Sequence, residues 1–321
     1  MELIIAIFIQ PFIDMADDPV LFIQVIWEGL VTGILYSLIA FGFVLIFKAS
    51  GIFNFAQGIL VVFSALTLVG LHAYGIHPYV ALILTLIIMA LIAYSIERVV
   101  LSKLVNQPDI ILFMATIGIT YFLIGLGEFI FGGENKIMIT NELGLPQDSW
   151  VIDLFDDILI IQQLDLTTVA VAISLVLILT CFHNFTKMGR AVRAVADDHQ
   201  AALSVGIHLS SIWFVVWFIS GIIALATGVV WGARAGVSFA LEVIAYKALP
   251  VLMLGGLTSV KGAIIGGVLI GVLEKIFEIY WGQPLLGGNT ETWFAFMLAL
   301  IILILGLGFE LVKHLFPQFH N

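Results

Sequence analysis

The hydrophobic positions of this chain fall into long unbroken runs, without the strict alternation of strands or the charged faces of soluble helices. A helix needs about 20 apolar residues to span a bilayer. Runs that meet or approach that length cover residues 21–47, 52–74, 79–96, 110–131, 166–185 and 210–231. The next two are less regular. Residues 240–256 form a short run carrying Lys247, Pro250 and paired glycines, and residues 262–280 hold Glu274, Lys275 and Glu278. A clean final run covers residues 292–312. The pattern predicts an all-α integral membrane protein with about eight to nine transmembrane helices, some broken or short.

The polar positions between the runs predict an orientation. Arg98 and Lys103 follow the third run, Lys187, Arg190 and Arg193 the fifth; Lys261 precedes the penultimate run and Lys313 follows the last. Lys and Arg mark cytoplasmic loops, which puts the C-terminus inside. The acidic N-terminus (Asp14, Asp17, Asp18) and the acidic loop 132–165 then lie outside. Counting 240–256 as a full crossing keeps both ends where the charges place them. Residues 1–20 read as an interfacial segment: the stretch 3–9 is too short to span and lacks the basic start of a secretory signal. Residues 21–321 read as one transmembrane domain, with a periplasmic loop at 132–165 and a cytoplasmic segment at 186–207. The loop, with Asp153, Asp156 and Asp157, reads either as a docking rim or as a solvated hairpin.

Composition agrees. The 321 residues are 62% hydrophobic and 11% charged, against about 25% charged in soluble domains, so lipid must solvate the surface. The net charge of −10 is clustered. The single cysteine, Cys181, excludes an intrachain disulfide and a Cys-based metal site. No phosphate-binding loop, nucleophile elbow or His-Glu-x-x-His motif is present, so the chain is not expected to be an enzyme or to hydrolyse ATP by itself.

Three segments and one set of charges carry candidate chemistry. Lys48–Gly58 places Ser50, Asn54 and Gln57 between two apolar runs, with glycines at Gly51 and Gly58. A buried amide without partners costs about 1–3 kcal/mol, and broken helices are how transporters expose polar groups at depth. The segment is therefore either part of a translocation path or a cytoplasmic turn. Gly189–Gly206 is alanine-rich and favours helix, with a partial apolar stripe at Val192, Val195, Ala196, Leu203 and Val205. It needs a surface to lie on, either the membrane interface or a partner protein. Gly255, Gly256, Gly262, Gly266 and Gly267 bring backbones together at helix-packing spacings. Lys247, Glu274 and Glu278 lie in apolar runs, where charge is costly and often functional; Lys247 is a candidate partner for the carboxylates, in a structural ion pair or a proton relay.

These segments, in this order, resemble the first of the two homologous inner-membrane permeases of branched-chain amino acid ATP-binding-cassette importers. The resemblance rests on the glycine-rich first helix (Gly29–Leu38), Phe53–Gly58, Gly189–Ala194 with the trailing Gly206, and Gly255–Gly267, where Thr258 stands in place of the family's commoner glycine. It implies the permease architecture of an ATP-driven importer in the bacterial inner membrane, lying in lipid. Gly189, Arg190, Arg193, Asp197, Asp198 and Gly206 would form a coupling segment docking on an ATPase, and Ser50, Asn54, Gln57 and Gly58 would lie at the translocation path. The implied partners are a second homologous permease, two ATPase subunits and a periplasmic binding protein. ATP and Mg²⁺ would be bound by the ATPases, with no cofactor on this chain and no nucleic acid among its partners. A secondary transporter, or a channel for small polar solutes such as urea or amides, is the alternative.

Overall fold

The computed structural model describes residues 9–51, 53–104, 107–154, 157–197 and 199–282, with the backbone alone at 109, 197, 199–201 and 244. The run at 292–312, with Lys313, lies outside the described residues.

A short helix, α1 (Gln10–Asp17), opens the described chain, and Asp18 then caps the long α2 (Pro19–Ser50) by accepting from the Leu21 amide at 2.8 Å. Proline at N1 needs no amide partner there. Gly51, at φ +71°, ends α2 in the left-handed conformation that glycine alone adopts freely. After it come α3 (Gln57–Ala73), α4 (Pro78–Ser95) and α5 (Asp109–Phe131); α4 runs on through a π turn to Lys103. The fold is not purely helical. Ser149–Leu154 (β1) and Asp157–Gln162 (β2) form an antiparallel hairpin in register Val151↔Ile160. Branched residues (Val151, Ile152, Ile158, Ile160, Ile161) favour the extended chain there.

The second half holds α6 (Gln163–Phe185), α7 (Lys187–Asp197), α8 (His199–Ser204) and α9 (Leu209–Ala235). Then follow α10 (Leu241–Tyr246), α11 (Ala248–Gly255) and α12 (Val260–Phe277), which ends in a π turn at Gly282.

Among the described residues five helices are long and apolar enough to cross a bilayer, or six with a bent pair counted as one span. The described residues do not confirm the expected eight to nine: the run at 292–312 lies outside them, and two stretches of the sequence pattern take another form. The run at 52–74 becomes a 17-residue helix starting at Gln57, about 26 Å long. The runs at 240–256 and 262–280 become Leu241–Gly255 and Val260–Gly282, bent through 117°. That bend makes them a broken span or a re-entrant loop, not two straight crossings.

In lipid, apolar burial alone does not hold helices together, so close backbone contact must. α2 and α12 run antiparallel with their glycines in contact. A methyl group placed on Gly33 would lie 2.7 Å from the Gly267 oxygen, and one on Gly29 2.7 Å from the Val272 Cα. Ser37 donates across this seam to the Ile264 carbonyl at 3.0 Å. The short α3 is the axis of the core, buried along most of its length and packed against α9, α5, α4 and α10. The outer faces of α4, α5 and α6 expose Ile83, Ile87, Phe122, Leu177 and Ile178, as lipid contact requires.

Candidate functional site

The link from α2 to α3 turns back into the bundle. Ser50 hydrogen-bonds its own helix, donating to the Ile46 carbonyl at 2.7 Å. Asn54 is fully buried and folds the link by accepting from the Ala56 amide at 3.0 Å, while its Nδ2 has no hydrogen-bond partner among the described residues. Gln57, also fully buried, accepts from the Ser220 hydroxyl of α9 and lies against Gly42 of α2. Asn54 and Gln57 thus face packed interior within this chain. The cavity beside them, about 390 Å³, is lined by Phe55, Thr120, Tyr121, Glu242 and Tyr246 instead. Tyr246 donates to Glu242 at 2.8 Å. Gly58 makes room for that wall: a methyl group there would meet the Glu242 Cγ at 3.1 Å. Glu242 lies within the apolar run 240–256, but nothing local to it shows that α10 folds back onto Gly58.

The segment after α6 makes a tight elbow. The Thr186 hydroxyl accepts from the Gly189 amide at 2.9 Å and donates to the Phe182 carbonyl at 2.6 Å. Any side chain on Gly189 would strike the Phe182 and His183 carbonyl oxygens. Arg193 reaches back to the His183 carbonyl and the Asn184 side chain, so its charge satisfies the His183 carbonyl near the end of α6. Val192 and Val195 are buried, and α7 packs against α6, α2 and α9. Lys187 and Arg190 are left exposed. Gly206, at φ +88°, closes the segment. Asp198 lies outside the described residues, and Asp197 is described by its backbone alone.

At the bend, Gly255 and Gly262 touch backbone to backbone, Gly266 lies against the Val251 carbonyl, and Gly267 faces α2. Gly256 serves differently: no helix approaches it, and its φ of +88° terminates α11. Lys247 and Glu274 form an ion pair at 2.7 Å, and Tyr36 of α2 donates to the same carboxylate oxygen at 3.2 Å. Glu278 pairs with Lys275 one turn along α12, at 2.7 Å. The structure therefore divides the three expected charges between two pairs.

A larger cavity, about 650 Å³, opens between α2, β2, α6, α9 and α12. Glu28, Tyr36, Asp165, Trp231, Arg234 and Lys275 shape it. Asp165 and Arg234 pair directly, joining the start of α6 to the end of α9. The rings of Tyr36 and Trp231 stack at 6.1 Å. Sequence reasoning did not assemble this site; its local signals were Glu28, Arg234 and Lys275, charges within or beside apolar runs. The cavity and α7 sit at opposite ends of α6.

An apolar helical bundle enclosing charged clefts is the plan of a multi-pass membrane permease. The family is more definite. The model described as "Branched-chain amino acid transport system / permease component" matches residues 25–305, and the chain belongs to that family, as the motifs indicated. The chain is similar to the high-affinity branched-chain amino acid transport system permease protein LivH of Salmonella typhimurium, 27% identical over 91% of this chain and 95% of that protein. It is 26% identical to BraD of Pseudomonas aeruginosa, of the same description, over 88% of this chain and 93% of that one. A probable LivH of Methanocaldococcus jannaschii is 28% identical over 80% and 82%. Among solved structures, PsaBC from Streptococcus pneumoniae in complex with Fab matches with a TM-score of 0.48 at 14% identity, over 86% of this chain and 89% of that one.

Proposed function

We propose that this chain is one permease subunit of an ATP-driven importer that carries branched-chain amino acids across the bacterial inner membrane. The observation that carries the reading is the family match over residues 25–305. The relatives' names supply the substrate class.

The chain breaks no bond. It pairs with a second, homologous permease, receives substrate from a periplasmic binding protein, and is driven by two ATPase subunits that hold ATP and Mg²⁺. The N-terminus and the 132–165 loop face the periplasm, and α7, α8 and the C-terminus face the cytoplasm. In this reading α7 is the lever. Arg190 and Lys187 offer exposed charge to the ATPase, whereas Arg193 fastens α7 to α6. Because α7 packs on α2, whose Gly42 lies against Gln57, and on α9, which carries Ser220, its displacement shifts the surroundings of Gln57 and with them the wall containing Phe55, Glu242 and Tyr246. Asn54 and Gln57 set the path from behind that wall.

The test is ATP-dependent uptake of labelled leucine by the reconstituted complex. Arg190→Glu is expected to abolish uptake while the permease–ATPase complex still assembles. Uptake unchanged by that reversal removes the lever. The buried Lys247–Glu274 pair motivates a second reading, ion-coupled transport; uptake that follows a proton gradient in the absence of ATPase subunits would establish it. Urea or amide uptake in place of leucine would instead place the chain in the amide branch.

A further inference from the structure

We propose that the 650 Å³ cavity between α2, β2, α6, α9 and α12 is a binding site on the permease itself for an amino acid zwitterion with an apolar side chain. The inference rests on the transport reading above and adds a substrate-holding site within this chain. The volume lies within the range of small-molecule sites, about 300–1,000 Å³.

The lining chemistry selects the ligand. A site for a simple anion gathers cations and a site for a cation gathers carboxylates; this cavity holds two of each, Glu28 and Asp165 with Arg234 and Lys275. Their pairing is unequal. Lys275 is engaged by Glu278 at 2.7 Å, and Asp165 is engaged by Arg234. Glu28 accepts one long hydrogen bond within the described residues, from Gln24 at 3.4 Å, which leaves its carboxylate able to receive an ammonium. Asp165 takes one of the donors of Arg234; a guanidinium carries five, in a fork that fits a carboxylate. The stacked rings of Tyr36 and Trp231 supply an apolar wall for a branched side chain. A zwitterion carries no net charge, so it enters without disturbing the balance of the two carboxylates and two cations.

The site is also connected. The Tyr36 ring lines the cavity while its hydroxyl donates to Glu274, the partner of Lys247. The cavity wall is therefore hydrogen-bonded to the pair that pins the bent helices.

The assigned site is tested on the assembled permease–ATPase complex in lipid nanodiscs without the binding protein, using labelled L-leucine. Saturable binding is expected. Isopentylamine and 4-methylpentanoate each keep one of the two charges and should compete about tenfold more weakly than leucine, or worse. Glu28→Gln should weaken leucine by about tenfold and leave competition by 4-methylpentanoate unchanged, a selectivity shift that a packing defect would not produce. Three results overturn the assignment: no saturable leucine binding, equal competition by either one-charge analogue, or unaltered leucine affinity in Glu28→Gln. The analogue comparison uses the unaltered complex, so it decides the matter even if the variant does not assemble. If the unaltered complex, reconstituted with the binding protein in sealed vesicles, imports leucine with ATP while any of these results is found, the cavity assignment fails alone. If it imports no leucine, the transport reading fails.

Discussion

Lys247 and Glu274 meet at 2.7 Å with their side chains 7% and 1% exposed, although they are 27 positions apart along the chain with a 117° bend between them. The pair fastens the broken segment to α12, and the Tyr36 hydroxyl extends the fastening to α2. Two unpaired charges at this depth would each carry a large desolvation cost, so the pair specifies how the bend closes.

Breaking one side of that pair removes a close counter-charge from the buried group on the other side. Lys247→Met or Glu274→Leu alone is expected to destabilise the protein by about 3–5 kcal/mol, whereas the double substitution recovers most of the loss. Thermal unfolding of the purified permease in detergent measures this. Single variants as stable as the double variant would show that the pair holds nothing together.

The glycine seam between α2 and α12 leaves no space for a side chain. Gly267→Val would drive a branched side chain into Ser37 and the Gly33 carbonyl, and overpacking of this kind costs about 1–3 kcal/mol or more. The same change at Gly118 of α5, where no atom lies within 4 Å, should leave monomer stability unaltered. Expression level and melting temperature of the two variants, compared side by side, check the contrast.

Attachment of α7 and signalling through α7 separate at two arginines. Arg193→Gln removes the guanidinium from the His183 carbonyl, so amide exchange should quicken across α7 and the last turn of α6. Arg190→Glu changes an exposed charge and should leave exchange as it was while uptake stops. Exchange that quickened equally in both variants would mean that Arg190 is structural too.

Gln57 and Ser220 link α3 to α9 within the core. Ser220→Ala strands the Gln57 amide oxygen and should cost about 1–3 kcal/mol. Adding Gln57→Leu on that background removes the stranded group and should restore part of the stability. A melting curve for the double variant below that of Ser220→Ala would contradict the assignment.

Much of the molecule was legible from its runs of apolar residues, because a bilayer imposes its thickness on each helix separately. The long spans at 21–47, 79–96, 110–131, 166–185 and 210–231 correspond to α2, α4, α5, α6 and α9, and three ordered motifs indicated the family. Gly255 and Gly262 were readable as close contacts because small residues at helical spacing have few other uses.

Other features depend on neighbours that hydropathy does not register. Whether Leu241–Gly255 and Val260–Gly282 cross separately or bend is decided by contacts between their glycines and by the pair at Lys247 and Glu274. Asn54 and Gln57 read as path residues because amides stand out against apolar sequence; only the fold shows that the Ala56 amide and the Ser220 hydroxyl engage their side-chain oxygens. Asp165 and Arg234 are 69 residues apart, and only the folded bundle brings them to one cavity. Local composition determines which segments lipid accepts; the direction a charge faces, and the charge it meets, is set by packing between segments distant in the chain.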